Sequence, residues 1–86
     1  MYYIATFYSH FGAIRFKRES AGMIRNPRLM PVPRNLSSSC GTCVRFEADE
    51  DYQFAKDARE EIEQIVREAD GRYVQIYQAQ EQTPFW

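Results

Sequence analysis

Alternating and helical patterns of apolar residues divide the chain into predicted strands and helices. Apolar side chains occupy both parities of Tyr2–Tyr8, which is typical of a central strand covered on both faces. Ser9 then offers an N-cap hydroxyl to a helix that runs from about His10 to Ala21. The spacing places Phe11 and Ile14 among the inward positions of this helix. We therefore expect a strand followed by an amphipathic helix.

Two prolines decide where the next extended segment, Arg28–Arg34, lies in the sheet. Pro31 and Pro33 are two residues apart, so both missing N–H groups fall on the same side of a strand. Such a strand is tolerated at the edge of a sheet, with that side facing solvent. After a loop of small polar residues, Cys43–Glu47 alternates and predicts a second short strand. The alternation places Val44 and Phe46 on one face of this strand and Cys43 and Arg45 on the other.

The longest pattern in the chain predicts a second helix over about Glu50–Asp70. Its apolar positions recur at three- and four-residue steps, and Gly71 follows as a stop signal. These positions are Phe54, Ala55, Ala58, Ile62, Ile65, Val66 and Ala69. Arg72–Tyr77 alternates again and predicts the last strand. The order βαββαβ predicts a ferredoxin-like α+β fold, in which four antiparallel strands carry both helices on one face.

Length and charge limit the classes of protein that this chain can belong to. Residues 1–78 would form a single domain, and residues 79–86 a frayed C-terminal tail. Eleven Lys and Arg against twelve Asp and Glu leave a net charge of −1, which argues against nucleic acid and anionic membranes as partners. Because the chain has neither a long apolar run nor the features of a signal peptide, we expect a cytoplasmic protein.

The concentrated chemistry lies in the loop from Pro33 to Cys43, which contains both cysteines of the chain. A cysteine reacts as its thiolate, which needs positive charge or aimed N–H groups to be stabilised at neutral pH. Arg34 and Arg45 offer that charge. Small residues let backbone N–H groups turn toward Cys40 and add hydroxyl donors. They are Ser37, Ser38, Ser39 and Gly41, the last of which also permits a positive φ.

The C-x-x-C pair formed by Cys40 and Cys43 has three interpretations: a redox pair, half of a metal site, or a nucleophile with a neighbour. In thioredoxin-like proteins the pair opens a helix, whereas here a strand follows, which counts against that chemistry. A structural zinc site needs about four ligands, and His10 is the one further ordinary soft ligand. We therefore expect no metal and no cofactor, and we treat His10 as incidental.

At this point the chain resembles the selenium/sulfur carrier-like family of small bacterial proteins. The resemblance covers nearly the whole chain. It rests on the opening strand, the Leu-Met-Pro-Val-Pro-Arg strand that ends at Arg34, the Ser-Ser-Ser-Cys-Gly turn and the Arg-Phe-Glu that begins at Arg45. It implies that Cys40 holds sulfur or selenium and that Arg34 matches the family's Pro-Arg element. Cys43 would then resolve a persulfide to a disulfide, or protect Cys40 by pairing with it.

These observations favour a carrier rather than an enzyme. Cys40 would accept a persulfide or selenopersulfide from a donor enzyme of the cysteine desulfurase type and pass it to an acceptor protein, without a cofactor. The reactive residues would be Cys40 and Cys43, and the binding residues Arg34, Ser38, Ser39, Gly41 and Arg45. Two alternatives stay open. One is a dithiol redox or sensing module; the other is a regulatory binding domain that dimerises through its sheet face or edge.

Overall fold

Five antiparallel strands form one sheet in the computed structural model, which describes residues 1–20, 22–52, 54 and 60–79. The strand order is β2-β3-β1-β4-β5, and one helix is present in these described residues. The elements are β1 (Tyr2–Phe7), α1 (His10–Glu19), β2 (Arg25–Pro31), β3 (Thr42–Glu47), β4 (Ile62–Ala69) and β5 (Arg72–Gln78).

The central strand, β1, is buried on both faces, as its apolar pattern predicts. Tyr3, Ala5 and Phe7 belong to one core cluster, and Ile4 belongs to a second cluster on the opposite face of the sheet. We call these the helix-face cluster and the open-face cluster. The helix-face cluster also contains Ala13, Phe16, Ile24, Val44, Phe46, Ala48, Ile62 and Ile65. The open-face cluster contains Ile4, Cys43 and Val66, with Met30, Val32, Leu36 and Tyr73 packed against it.

Helix α1 begins where the sequence predicts, but it buries a different side. The Ser9 hydroxyl accepts a hydrogen bond from the Gly12 N–H at 3.2 Å and caps the helix. Phe11 is 76% exposed and Ile14 40% exposed, so their predicted inward positions are wrong. The buried helical residues are Gly12, Ala13 and Phe16. Small residues at two of these positions let the helix approach the sheet closely; a Cβ at position 12 would lie 3.0 Å from the Cβ of Glu61.

The second helix and the ferredoxin-like fold are wrong. The second half of the predicted helix is β4, which pairs with β1 and β5; residues 53 and 55–59 of that prediction lie outside the described residues. Ile65 joins the helix-face cluster and Val66 the open-face cluster. A strand covered on both faces can therefore imitate helical spacing.

The Asp70-Gly71 dipeptide marks a hairpin rather than a helix end. Both residues have positive φ, 50° and 76°, and they join Ala69 to its pairing partner Arg72. Positive φ at both central positions defines the two-residue turn that matches the twist of a β-hairpin, and Asp-Gly is a preferred sequence for it. The stop signal after Asp70 was therefore a turn signal.

Strands β2 and β3 confirm the predictions made from their prolines and alternation. β2 lies at the edge of the sheet, although its bounds fall three residues earlier than predicted. On β3, Val44 packs in the helix-face cluster and Cys43 in the open-face cluster, as the alternation requires. Of the predicted tail, residues 79–86, only Ala79 is described, so its fraying stays a prediction.

Candidate functional site

The cysteine loop connects the end of β2 to the start of β3. The Val32 N–H donates to the carbonyl of Gly41 at 3.0 Å, so the two ends of the loop remain bonded beyond the last pair of the strand ladder. Gly41 has a φ of 77°, the left-handed conformation that its lack of a side chain permits. The turn between Cys40 and β3 therefore depends on the glycine, as the sequence predicts.

Three serines of the loop are bonded to neighbouring strands. The Ser38 hydroxyl donates to the Phe7 carbonyl at 3.5 Å, and Gln64 donates to the Ser37 carbonyl at 3.5 Å. Ser39 makes the shortest contacts: its N–H and its hydroxyl donate to the two carboxylate oxygens of Glu63, at 2.8 Å and 2.7 Å. These bonds brace the loop against β1 and β4. The Ser39 donors are therefore engaged by Glu63, although the sequence suggested them as donors toward Cys40.

Cys40 is the more accessible of the two thiols. Its side chain is partly buried and packs against the helix-face cluster. Its Sγ donates to the Thr42 carbonyl at 3.5 Å. The thiol therefore lies at the end of the sheet, on a braced loop, with part of its surface open to solvent.

Cys43 lies on the other face of the sheet and is completely buried. It packs with Ile4 and Val66, and its Sγ donates to the Pro31 carbonyl at 3.7 Å. Burial is the larger cause and the nearby Cys40 the smaller cause that together raise the pKa of the Cys43 thiol from 9.0 to about 11. Both cysteines are free thiols. Cys43 is therefore held in its protonated, unreactive form.

The two arginines suggested by the sequence are placed differently. Arg45 pairs with Glu68, with Nε 2.7 Å and Nη2 3.4 Å from the carboxylate oxygens, and its guanidinium lies 3.9 Å from the centre of the Tyr2 ring. The hydrogen bond to Glu68 raises the pKa of Arg45, which remains charged. The Arg45 side chain therefore lies on the open face of the sheet, where Glu68 and Tyr2 bind it. Arg34 is exposed in the loop, and within the described residues it forms no ion pair.

His10, which sequence reasoning set aside, contacts the cysteine turn. Its Nδ1 lies 3.1 Å from the hydroxyl oxygen of Thr42, the residue whose carbonyl accepts the Cys40 bond. The pairing of β1 with β3, in which Thr6 faces Cys43, brings the end of β1 beside the start of β3, and no local sequence signal indicates this contact. Glu63 was also missed, because the sequence assigned it to a helix.

The described part of the chain contains neither a candidate metal-ligand group nor a membrane-spanning helix. Residues 1–20, 22–52, 54 and 60–79 contain no group of three or more His, Cys, Asp or Glu side chains that could hold a metal ion. Within the same ranges, no helix has the length and hydropathy needed to cross a bilayer.

The fold and the site define a small α+β domain that presents one partly accessible thiol on a braced loop. A family model described as "Putative Se/S carrier protein-like" matches residues 2–78, and the chain belongs to this family. The resemblance seen in the sequence is thereby confirmed. Neither a curated protein nor a solved structure matches the chain.

Proposed function

We propose that this protein carries sulfur or selenium on Cys40, as a persulfide or selenopersulfide. A donor enzyme of the cysteine desulfurase type loads the thiol, and an acceptor protein receives the atom, both in the cytoplasm. Family membership supports the carrier class. The observation that carries the assignment to Cys40 is the contrast between the thiols: Cys40 is partly open, whereas Cys43 is 0% exposed.

The chemistry needs one nucleophilic sulfur and no cofactor. In loading, the Cys40 sulfur attacks the outer sulfur of the donor's persulfide, and the donor's inner sulfur leaves as a thiolate. In delivery, an acceptor thiol attacks the outer sulfur on Cys40 in the same way. Each step exchanges one sulfur–sulfur bond for another, so neither oxidant nor reductant is consumed. An accessible thiol on a sheet end suits this task because two different proteins must reach it.

The position of Cys43 favours a carrier over a dithiol redox module. A disulfide requires the two Cα atoms to lie about 4.4–6.8 Å apart with the side chains directed at each other. Here Cys40 packs against the helix-face cluster, while Cys43 packs in the open-face cluster. Attack by Cys43 on a loaded Cys40 would release the cargo as sulfide. The packing of the two thiols against different clusters therefore supports retention of the bound sulfur.

The experiment is loading followed by intact mass spectrometry. The protein is incubated with a cysteine desulfurase and cysteine, and the Cys40→Ser and Cys43→Ala variants are treated in parallel. Alanine is chosen at position 43 because a serine hydroxyl would be buried in an apolar cluster.

We expect the wild type and C43A to gain the mass of whole sulfur atoms, in a form that a reductant removes. C40S should gain none. Loading of C40S, or loss of loading in C43A with its fold intact, would contradict the proposal. A Cys40–Cys43 disulfide that forms instead of the persulfide would favour the redox module. If neither chemistry occurs, the regulatory binding domain is the remaining alternative.

A further inference from the structure

One residue connects the imidazole of His10 to the thiol of Cys40. The His10 ring nitrogen Nδ1 lies 3.1 Å from the Thr42 hydroxyl, and the Cys40 thiol donates to the Thr42 carbonyl at 3.5 Å. Thr42 precedes the buried Cys43 and begins β3. The imidazole and the accessible thiol therefore contact two different groups of the same residue, although His10 and Thr42 are 32 residues apart in sequence.

The local structure fixes His10 at this place. Ser9 caps α1 through the Gly12 N–H, so the helix begins at His10, directly beyond the end of β1. β1 pairs with β3, and Thr6 faces Cys43. The start of the helix is thereby held beside the start of β3. His10 is exposed, so its ring can exchange protons with solvent.

The charged groups at this end of the sheet have other partners or lie elsewhere in the loop. Glu61 forms an ion pair with Arg15 of α1 at 3.6 Å, and Glu63 accepts both bonds from Ser39. Arg34 is exposed in the cysteine loop. His10 carries the one imidazole of the chain, and an imidazole is the side chain that most often acts as a general base.

We propose that His10 takes the proton of Cys40 during sulfur loading and returns it to the leaving group, with Thr42 positioning the imidazole. This inference rests on the proposed carrier function. As the Cys40 sulfur bonds to the outer sulfur of the donor's persulfide, the donor's sulfur–sulfur bond breaks and its electron pair stays on the inner sulfur. The proton moves from Cys40 to His10, and then to that inner sulfur. One persulfide replaces another, and atoms and electrons balance.

The test is the pH dependence of Cys40 alkylation by iodoacetamide in a Cys43→Ala background. With His10 present, the rate at neutral pH should contain a component that depends on the imidazole as a base. His10→Gln keeps a polar group beside Thr42 but cannot take the proton. We expect H10Q to lose this component and to slow sulfur loading at neutral pH by about tenfold or more.

Two further variants separate proton transfer from charge and from folding. Thr42→Val keeps a β-branched residue at the start of β3 and removes the hydroxyl, so it should weaken the same component. Lys17→Gln removes an exposed cation from the last turn of α1 and should leave the profile unchanged. Identical profiles for H10Q and its parent would overturn the inference. An unchanged profile in T42V, or an equal change in K17Q, would do so as well.

The outcomes also separate this inference from the proposed function. If the parent protein loads sulfur on Cys40 while the alkylation profiles coincide, the role of His10 fails and the carrier function stands. If the parent never loads sulfur, the carrier function fails, and the role in loading that we assign to His10 fails with it.

Discussion

The burial of Cys43 predicts a large difference in reactivity between the folded and the unfolded chain. Its pKa rises from 9.0 to about 11, so at a pH below 9 the reactive thiolate is about a hundredfold scarcer than in the unfolded chain. The side chain is also 0% exposed, which blocks approach of a reagent. Alkylation of Cys43 in the folded protein should therefore be slower by at least about a hundredfold.

The assay follows alkylation by iodoacetamide at about pH 8 in the Cys40→Ser variant, with and without guanidinium chloride. This variant leaves one thiol and removes the smaller of the two causes of the raised pKa, while burial, the larger cause, remains. Cys43→Ala is the matched control, because its one thiol, Cys40, is partly open and should be protected far less. A native Cys43 rate within about tenfold of the denatured rate would refute the reasoning about burial.

Three further predictions concern the cap, the loop and the pH dependence of stability. Ser9→Ala should lower the free energy of unfolding by about 1 kcal/mol in urea denaturation, because the Gly12 N–H loses its acceptor, and Ser9→Thr should restore most of it; equal stability of S9A and wild type would contradict the cap. Glu63→Gln should weaken both Ser39 hydrogen bonds by about 1 kcal/mol in total and so speed hydrogen exchange of the Ser39 amide roughly fivefold. Glu60→Gln is the control and should leave this exchange rate unchanged. Because the folded state raises the Cys43 pKa, it retains a proton that the unfolded chain loses, so stability is full below about pH 9 and falls as the pH rises toward about 11. When wild type and C43A are denatured across this range, the free energy of unfolding of the wild type should fall by about 1 kcal/mol per pH unit more than that of C43A. Parallel pH dependences of the two proteins would contradict this prediction.

Local signals in the sequence are sufficient to predict the type and order of the elements in the first half of the fold. The two-faced apolar pattern of β1, the Ser9 cap and the alternation of β3 are each set by residues close together in the chain. Pro31 and Pro33 predict an edge strand because they lack N–H groups on one side, and β2 does lie at the edge, although Pro33 falls beyond its end. These elements are predictable because short-range chemistry alone determines them.

The second half failed because two structures share one pattern. Ile62, Ile65 and Val66 have helical spacing, but they also suit a strand that packs on both faces. Only the hairpin meaning of Asp70-Gly71 could have decided between the two interpretations. The same dipeptide is compatible with a helix stop and with a hairpin turn, and the structure shows the turn.

The candidate site shows the same division between local and long-range information. Gly41 and the exposed position of Cys40 relative to Cys43 follow from the loop and from strand alternation. The contacts of Glu63 with Ser39 and of His10 with Thr42 depend on strand pairing across the sheet, which the sequence pattern does not contain. The sequence suggests Arg45 as a positive charge for the cysteine loop, whereas the structure pairs it with Glu68 on β4, on the far side of β1.

The most direct test of the carrier assignment is to locate the bound atom in the wild-type protein. After loading, remaining thiols are blocked and the protein is digested with trypsin, which cuts after Arg34 and Arg45 and so releases both cysteines in one peptide. Fragmentation of this peptide by mass spectrometry then assigns the added sulfur or selenium to one residue. We predict that it lies on Cys40. An added atom on Cys43, or a peptide that never gains one, would contradict the account.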